Sequence, residues 1–346
     1  MGEQARISGA ALELPGGVTV RFMRTLRLPE TGTHPLPPGL GTFPLRRVAD
    51  YPERAPAQWL THGGVLLPVY QREAMWLSFS SLAPAALQVG VGKVCAVSGR
   101  PWSDRLSQDP QNYVVLPRQP WLDGINSGQG TIRQFVAVPL GLGATVEGQV
   151  SGEEVWGGMQ LQVFELREEI LERWRATHSS RTRGGWGAAS EAMAAGMPPM
   201  APAGFGAAPQ ARAPRPAARP APAMGLGAGG RMRQEVYRDE RPPGDWREKP
   251  SGRAYVHLAT APQWRAVTGE PAPASPVDRA AYNAAGLPWF DYFDADAEDL
   301  APGEPLTGVK PVGDWLGDDE QPWVATEPEQ VKPLKDDPGQ VTDGEW

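Results

Sequence analysis

Cysteine is almost absent. Cys95 is alone in 346 residues, which excludes an internal disulfide framework and fits a reducing compartment. Histidine is scarce as well: His34, His62, His178 and His257 are the four, and none has a Cys or His neighbour at zinc-ligand spacing. The first residues, MGEQARISGAALELPGG, lack the basic stretch and apolar run of a secretory signal, and Arg6 stands where a myristoylation signal wants Ser or Thr. Long apolar runs are missing too. The longest uncharged stretch, Ala74–Gly92, holds three Ser, one Pro, one Gln and two Gly, a poor composition for a membrane helix. It reads instead as two buried strands around a turn at Pro84. The expectation is a soluble, cytoplasmic protein with no membrane span.

Proline and glycine are abundant, at 38 and 41 residues, which limits long helices and favours short strands and turns. The 13 Trp argue against wholesale disorder. Between His178 and Met224 the sequence turns to Ala, Pro, Gly, Met and Arg, with little to bury. Four parts follow: a β-rich domain at 1–177, a disordered Ala/Pro/Gly linker at 178–224, a small α+β portion at 225–300 that completes or flanks the first domain, and an acidic, mostly flexible tail at 301–346. Charge is as uneven as composition. Residues 1–177 are net neutral, residues 178–234 carry +6 and residues 291–346 carry −13. That pattern points to self-contact or partner contact rather than to a fold.

Within the first part, Val18–Leu26, Gly64–Tyr70, Ala74–Phe79, Leu87–Val97, Asn112–Leu116, Thr131–Val138, Ala144–Val150 and Gly158–Glu165 read as strands. Gln71–Glu73 reads as a hairpin tip, and Leu87–Val97 alternates at period two. Their spacing predicts a mainly β, sandwich- or barrel-like domain. Leu166–Ala176 turns helical, with Leu166, Ile170 and Trp174 on one stripe. After the linker, Arg231–Tyr237 and Arg253–Ala259 read as strands. Ala261–Val267, opened by Thr260 and Pro262, and Val277–Ala285 read as short helices. Gly141-Leu-Gly-Ala and Gly225-Leu-Gly-Ala form a faint internal echo, too short to establish a duplication.

No motif names a reaction. Gly225–Gly230 matches GxGxxG by letter, but a Pro-Ala linker precedes it and a strand-like segment follows, so the dinucleotide fingerprint fails and a flexible connection is expected. An EF-hand loop begun at Asp294 needs Gly and Glu where Asp299 and Pro305 stand; Asp294, Asp296 and Glu298 remain as a looser acidic cluster for a cation. Asp123, Arg133, Glu147 and His257 are the candidates for acid–base chemistry, provided the fold gathers carboxylates across a cleft between the two halves. Trp121, Trp156 and Trp289 are candidate platforms for a ligand, glycans included, although Pro-Trp steps such as those at Trp102, Trp121, Trp289 and Trp323 more often anchor a core. The linker arginines lack the aromatic interleaving of a nucleic-acid reader. No cofactor and no nucleic acid are expected.

The run QPWLDGINSGQGTIRQFVAVPLGLGATVEGQVSGEEVWGGMQLQVFE, with the later MGLGAGGRMRQEVY and GLPWFDYFD, resembles a family of proteins from filamentous bacteria with relatives in fungi. The resemblance covers most of 18–165 and 224–295. Some members carry a label of integral membrane protein, which the hydropathy opposes here. The resemblance implies no activity, cofactor or site. It implies only that 224–295 belongs to the same unit as 18–165. The reading that follows is a non-enzymatic binding or assembly module presenting a β-rich surface to a protein partner or to itself, with a carboxylate-using hydrolase and a carbohydrate binder as alternatives.

Overall fold

The computed structural model describes residues 5–128, 130–179, 223–274, 300–301, 303–316 and 344. Residues 180–222 of the linker, the predicted helix at Val277–Ala285, the platform Trp289 and the acidic residues Asp294, Asp296 and Glu298 lie outside them. Two compact units divide the chain: Met1–Leu166 with Ala221–Trp346, and Arg167–Pro220. In the second unit the described element is one helix, Glu168–Ser179, in which the Trp174 and His178 rings stack at 4.4 Å.

The first unit is mainly β. Its strands open with β1 (Arg6–Ser8), β2 (Ala11–Leu14), β3 (Val18–Thr25), β4 (Thr33–His34), β5 (Arg46–Arg47) and β6 (Val65–Val69). They continue with β7 (Ala74–Ser80), β8 (Ala85–Val91), β9 (Val94–Cys95), β10 (Val114–Leu116) and β11 (Trp121–Leu122). The last five are β12 (Gly124–Gly128), β13 (Thr131–Pro139), β14 (Met159–Glu165), β15 (Met224–Arg233) and β16 (Gly252–Thr260). They build two mixed sheets, not closed into a barrel. One runs β1-β2-β3-β7-β13-β15-β4, with β11 beside β7 and β12 beside β13; the other runs β10-β8-β14-β16-β6-β5, with β9 beside β8. Leu12, Val20, Phe22, Leu77 and Phe135 of the first sheet share one core with Val65, Leu87, Val89, Leu161, Val163 and Val256 of the second. Each such side chain contributes about 1.5–3 kcal/mol by leaving water.

The segments flanking the linker are interleaved. β15 pairs antiparallel with β13, and β16 lies between β14, antiparallel, and β6, parallel. The GxGxxG letters therefore belong to a strand paired with β13, not to a flexible connection. A Cβ at Gly227 would stand 2.5 Å from Val312 Cγ2, and one at Gly230 would stand 2.2 Å from the Pro29 carbonyl oxygen. The glycines are there because neighbouring chain presses onto the strand on both faces.

Other expectations change in the same way. Ala144–Val150 is not a strand. Thr145 Oγ1 accepts the Gly148 N–H at 2.9 Å and opens a short helix at Val146–Ser151, the N-cap outweighing the β-branched residues. Gln71–Glu73 is not a hairpin tip, because β6 and β7 belong to different sheets; Glu73 instead ties the turn to Arg24 at 2.5 Å and to the Tyr70 N–H at 2.9 Å. The predicted alternation in β8 gives way to burial on both faces. Residues 303–316, expected as part of a flexible tail, bury Leu306, Val309 and Val312.

Glutamine is the commonest polar residue buried in this core, and several act as detachable pieces of backbone. Gln134 accepts from the Leu28 N–H and donates to the Leu26 carbonyl. Gln234 takes the Asp123 N–H, Gln119 the Tyr237 N–H and Gln111 the Asp239 N–H. Where the chain leaves a ladder, a primary amide supplies the missing donor and acceptor, so buried backbone groups remain paired.

Candidate functional site

Two short sequence steps, His62-Gly63-Gly64 and Trp156-Gly157-Gly158, build the corner that stands out chemically. All four glycines have positive φ, between 57° and 79°. At Gly64 the requirement is absolute, because a Cβ would lie 2.1 Å from the Tyr255 carbonyl oxygen of β16. The first step ends α1 (Ala57–His62) and the second leads into β14. Both reverse the chain sharply where the His62 and Trp156 rings meet.

The rings then stack. His62 lies 4.5 Å from Trp156 and 4.6 Å from Tyr255, Tyr255 lies 4.5 Å from His257, and His257 lies 5.0 Å from Trp59. Alternate residues of β16, Tyr255 and His257, point to the same face, which explains why both meet His62. Each aromatic contact of this kind contributes about 0.5–1.5 kcal/mol beyond area burial. The polar tips are pinned to backbone. His257 Nε2 donates to the Gly63 carbonyl at 2.9 Å, and the Tyr255 hydroxyl reaches the Trp156 and Gly157 carbonyls at 2.8 and 2.9 Å. His62 Nδ1 is buried with no hydrogen-bond partner among the described residues.

Lys93 closes the outer end of the stack. Gly92 and Lys93 form the two-residue turn between β8 and β9, with φ of 55° and 66°. A two-residue hairpin with both φ positive prefers Asn-Gly or Gly-Gly, so a lysine in the left-handed region is held against its intrinsic preference. Its amide donates to Gln160 Oε1 at 3.0 Å, and its Nζ stands 3.7 Å from the Trp156 ring centroid. Glu147, on the helix 146–151, fixes the same ring from the backbone: its carboxylate accepts the Trp156 and Gly157 N–H groups at 3.0 and 2.9 Å.

Lys93, His62, His257 and Glu147 are all displaced from their ordinary values. Burial pushes the Lys93 ammonium below its ordinary value, reinforced by Arg253, while Glu147 pulls the other way. Burial lowers His62, with Lys93 adding to it. Burial takes His257 down to about 3, so it stands neutral. Burial raises the Glu147 carboxyl, and its backbone N–H partners oppose the rise. A gathering of shifted groups of several kinds marks a candidate site on physical grounds.

Three sequence-predicted residues meet here: Glu147, Trp156 and His257. The others are placed apart. Asp123 is buried in the nine-stranded sheet, where Gln234 Nε2 donates to its carboxyl at 3.0 Å and burial raises it well above the carboxylate range. Arg133 on β13 stands opposite Arg231 on β15. Trp121 is half-buried against the core. The cleft that was to gather Asp123, Arg133, Glu147 and His257 is therefore not formed by these four. Among the described residues no three His, Cys, Asp or Glu side chains gather as metal ligands, and no helix is long and apolar enough to cross a membrane. Sequence reasoning missed His62, Lys93 and Tyr255; the repeated ring-Gly-Gly step was the available signal. Comparison with family models, with curated proteins and with solved structures finds no match.

Proposed function

We propose that this protein is a non-enzymatic binding module, and that the Lys93–Trp156 corner is its contact face for an acidic protein segment. The observation that carries the reading is Lys93 itself. A lysine held in a left-handed turn is strained, its Nζ rests over a half-buried indole, and burial and the Arg253 charge disfavour its ammonium against the pull of Glu147. An anionic partner relieves the repulsion. Strain kept at such a place is a pointer to function. Leu60 and Val155, next in sequence to Trp59 and Trp156, are exposed and offer apolar surface to a partner.

A glycan is less well served. Sugar stacking needs an open aromatic face, and the Trp156 ring already carries His62 and Lys93. A hydrolase would have to draw on Glu147 and His257, but the arrangement spends both groups on backbone. Glu147 holds two N–H groups, and His257 is buried and donates to Gly63.

The test is titration of the full chain with poly-L-glutamate, followed by tryptophan fluorescence, for wild type and for Lys93→Glu/Arg253→Glu. Binding that weakens at least about tenfold in the variant and falls with salt is expected. Equal binding by the two proteins refutes the face.

A further inference from the structure

A second cationic cluster belongs to the nine-stranded sheet, whereas Lys93 and Arg253 belong to the seven-stranded one. Residues opposite one another in a ladder share a face, and so do residues two apart on one strand. Arg133 on β13 stands opposite Arg231 on β15, and Thr131 stands opposite Arg233. One face therefore carries Arg133, Arg231 and Arg233, with neighbouring positions about 5–7 Å apart. Thr33 of β4, which is exposed, pairs with Arg231 and extends the same face. Arg231 and Arg233 are exposed and Arg133 is half-buried.

Like charges directly opposite one another destabilise a ladder. Arg133 is not on an edge strand either, since β12 flanks β13 on its other side and pairs Ile125 with it. Burial and the Arg231 charge work against the Arg133 guanidinium, while Glu30 and Asp314 draw the other way. Glu30 is engaged with Arg27 at 2.6 Å. Among the described residues no carboxylate or carbonyl stands within hydrogen-bond or ion-pair distance of the three guanidinium groups.

We propose that Arg133, Arg231 and Arg233 form an anion site for a phosphate monoester or free phosphate. The number and type of donors select this ligand. A carboxylate brings one charge and two oxygens, which a single guanidinium fork satisfies. A phosphate monoester brings a charge of about −1.5 to −2 and three acceptor oxygens, enough to engage several forks at once. Its charge offsets the repulsion between Arg133 and Arg231 that the free protein carries. The recognised group is the same whether it is free or esterified to a protein side chain.

The experiment follows thermal unfolding of the full chain at constant ionic strength, with chloride as the balancing anion. The probes are inorganic phosphate, the peptide acetyl-Gly-phosphoserine-Gly-amide and its unphosphorylated form. A ligand of the folded state raises the midpoint with concentration, and the dependence gives an apparent Kd. Each protein is referred to its own midpoint without probe, so a change in intrinsic stability does not enter. Wild type is compared with Arg133→Gln and with Arg231→Gln/Arg233→Gln, the latter altering only exposed side chains. A rise with at least one phosphate probe and none with the unphosphorylated peptide is expected, the apparent Kd weakening at least about tenfold in each variant. Tighter binding of the phosphopeptide assigns the site to phosphorylated protein, and tighter binding of inorganic phosphate assigns it to the free anion. No rise with either probe, or equal constants in wild type and both variants, overturns the inference. A rise lost in Lys93→Glu/Arg253→Glu but kept in the arginine variants places the anion at the other sheet and overturns it as well.

Discussion

Acidification tests the ring stack directly through His257. Its folded-state value is about 3, against 6.5 for an unperturbed histidine. The unfolded chain therefore takes up a proton near pH 6.5 that the folded chain refuses until about pH 3. Between those values stability falls as pH falls, and it is fully present above pH 6.5. Linkage gives a loss of about 2 kcal/mol between pH 8 and pH 5 from this one residue. Buried carboxyls act in the opposite sense: Glu73, Asp123 and Glu147 are raised by burial, and each favours the folded state as pH falls. Only a difference between proteins isolates the histidine. The comparison is wild type against His257→Gln, which keeps a donor for the Gly63 carbonyl, and His257→Phe, which keeps the ring. Urea unfolding at pH 8 and pH 5 gives the four-way difference. Both variants should lose about 2 kcal/mol less than wild type on acidification. The Phe variant should also be weaker at pH 8 by about 1–3 kcal/mol, because the Gly63 carbonyl is left unpaired. A pH dependence identical in all three proteins refutes the buried neutral histidine and, with it, the packing of the stack.

Asp123→Asn should gain on wild type as pH rises from 4 to 8, because the unfolded chain releases the Asp123 proton in this direction more readily than the folded chain, whose carboxyl burial holds protonated, and the amide has no proton to lose; a constant difference in urea midpoints across that range contradicts its burial. Gly64→Ala should cost at least about 3 kcal/mol, since the backbone has positive φ and the new carbon collides with the Tyr255 carbonyl, whereas Gly244→Ala, in open space, should fall within about 0.5 kcal/mol of wild type. A double-mutant cycle on Lys93→Met and Trp156→Leu should return a coupling of about 0.5–2 kcal/mol in unfolding free energy, and a coupling of zero removes the cation from the ring.

The β architecture was legible because strand signals are local. Ala74–Gly92 divides into β7 and β8 about a turn holding Pro84, and Thr260 opens the helix Ala261–Thr268 with a capping box to Gln263. What was hidden depends on partners distant in sequence. Gly225–Gly230 looks like a linker until Leu28, Pro29, Val136 and Val312 are seen pressing on it. Thr145 looks like a strand residue until its hydroxyl caps a helix. Trp156 and His257 were singled out by residue type alone. Their meeting depends on His62, which lies 94 positions before one and 195 before the other, and no periodicity spans such distances.

The distinction between a binding face and a reaction centre rests on where each polar atom is directed. Proton transfer needs a group that can change protonation while facing a substrate. Tyr255 and His257 face backbone carbonyls, and Glu147 faces backbone amides. Their shared effect is to make a rigid floor under Trp156. Lys93 is the half-exposed charge on that floor. A free lysine loses up to about 2 kcal/mol of side-chain entropy when it is fixed in a complex. One already resting on an indole, in a turn that restricts its backbone, loses less, and the difference appears as affinity. The corner is thus better suited to presenting a pre-oriented cation than to moving a proton. The same logic explains the glycine pairs: ring-Gly-Gly steps set two rings at the angles stacking requires, and the stack holds Lys93 in place.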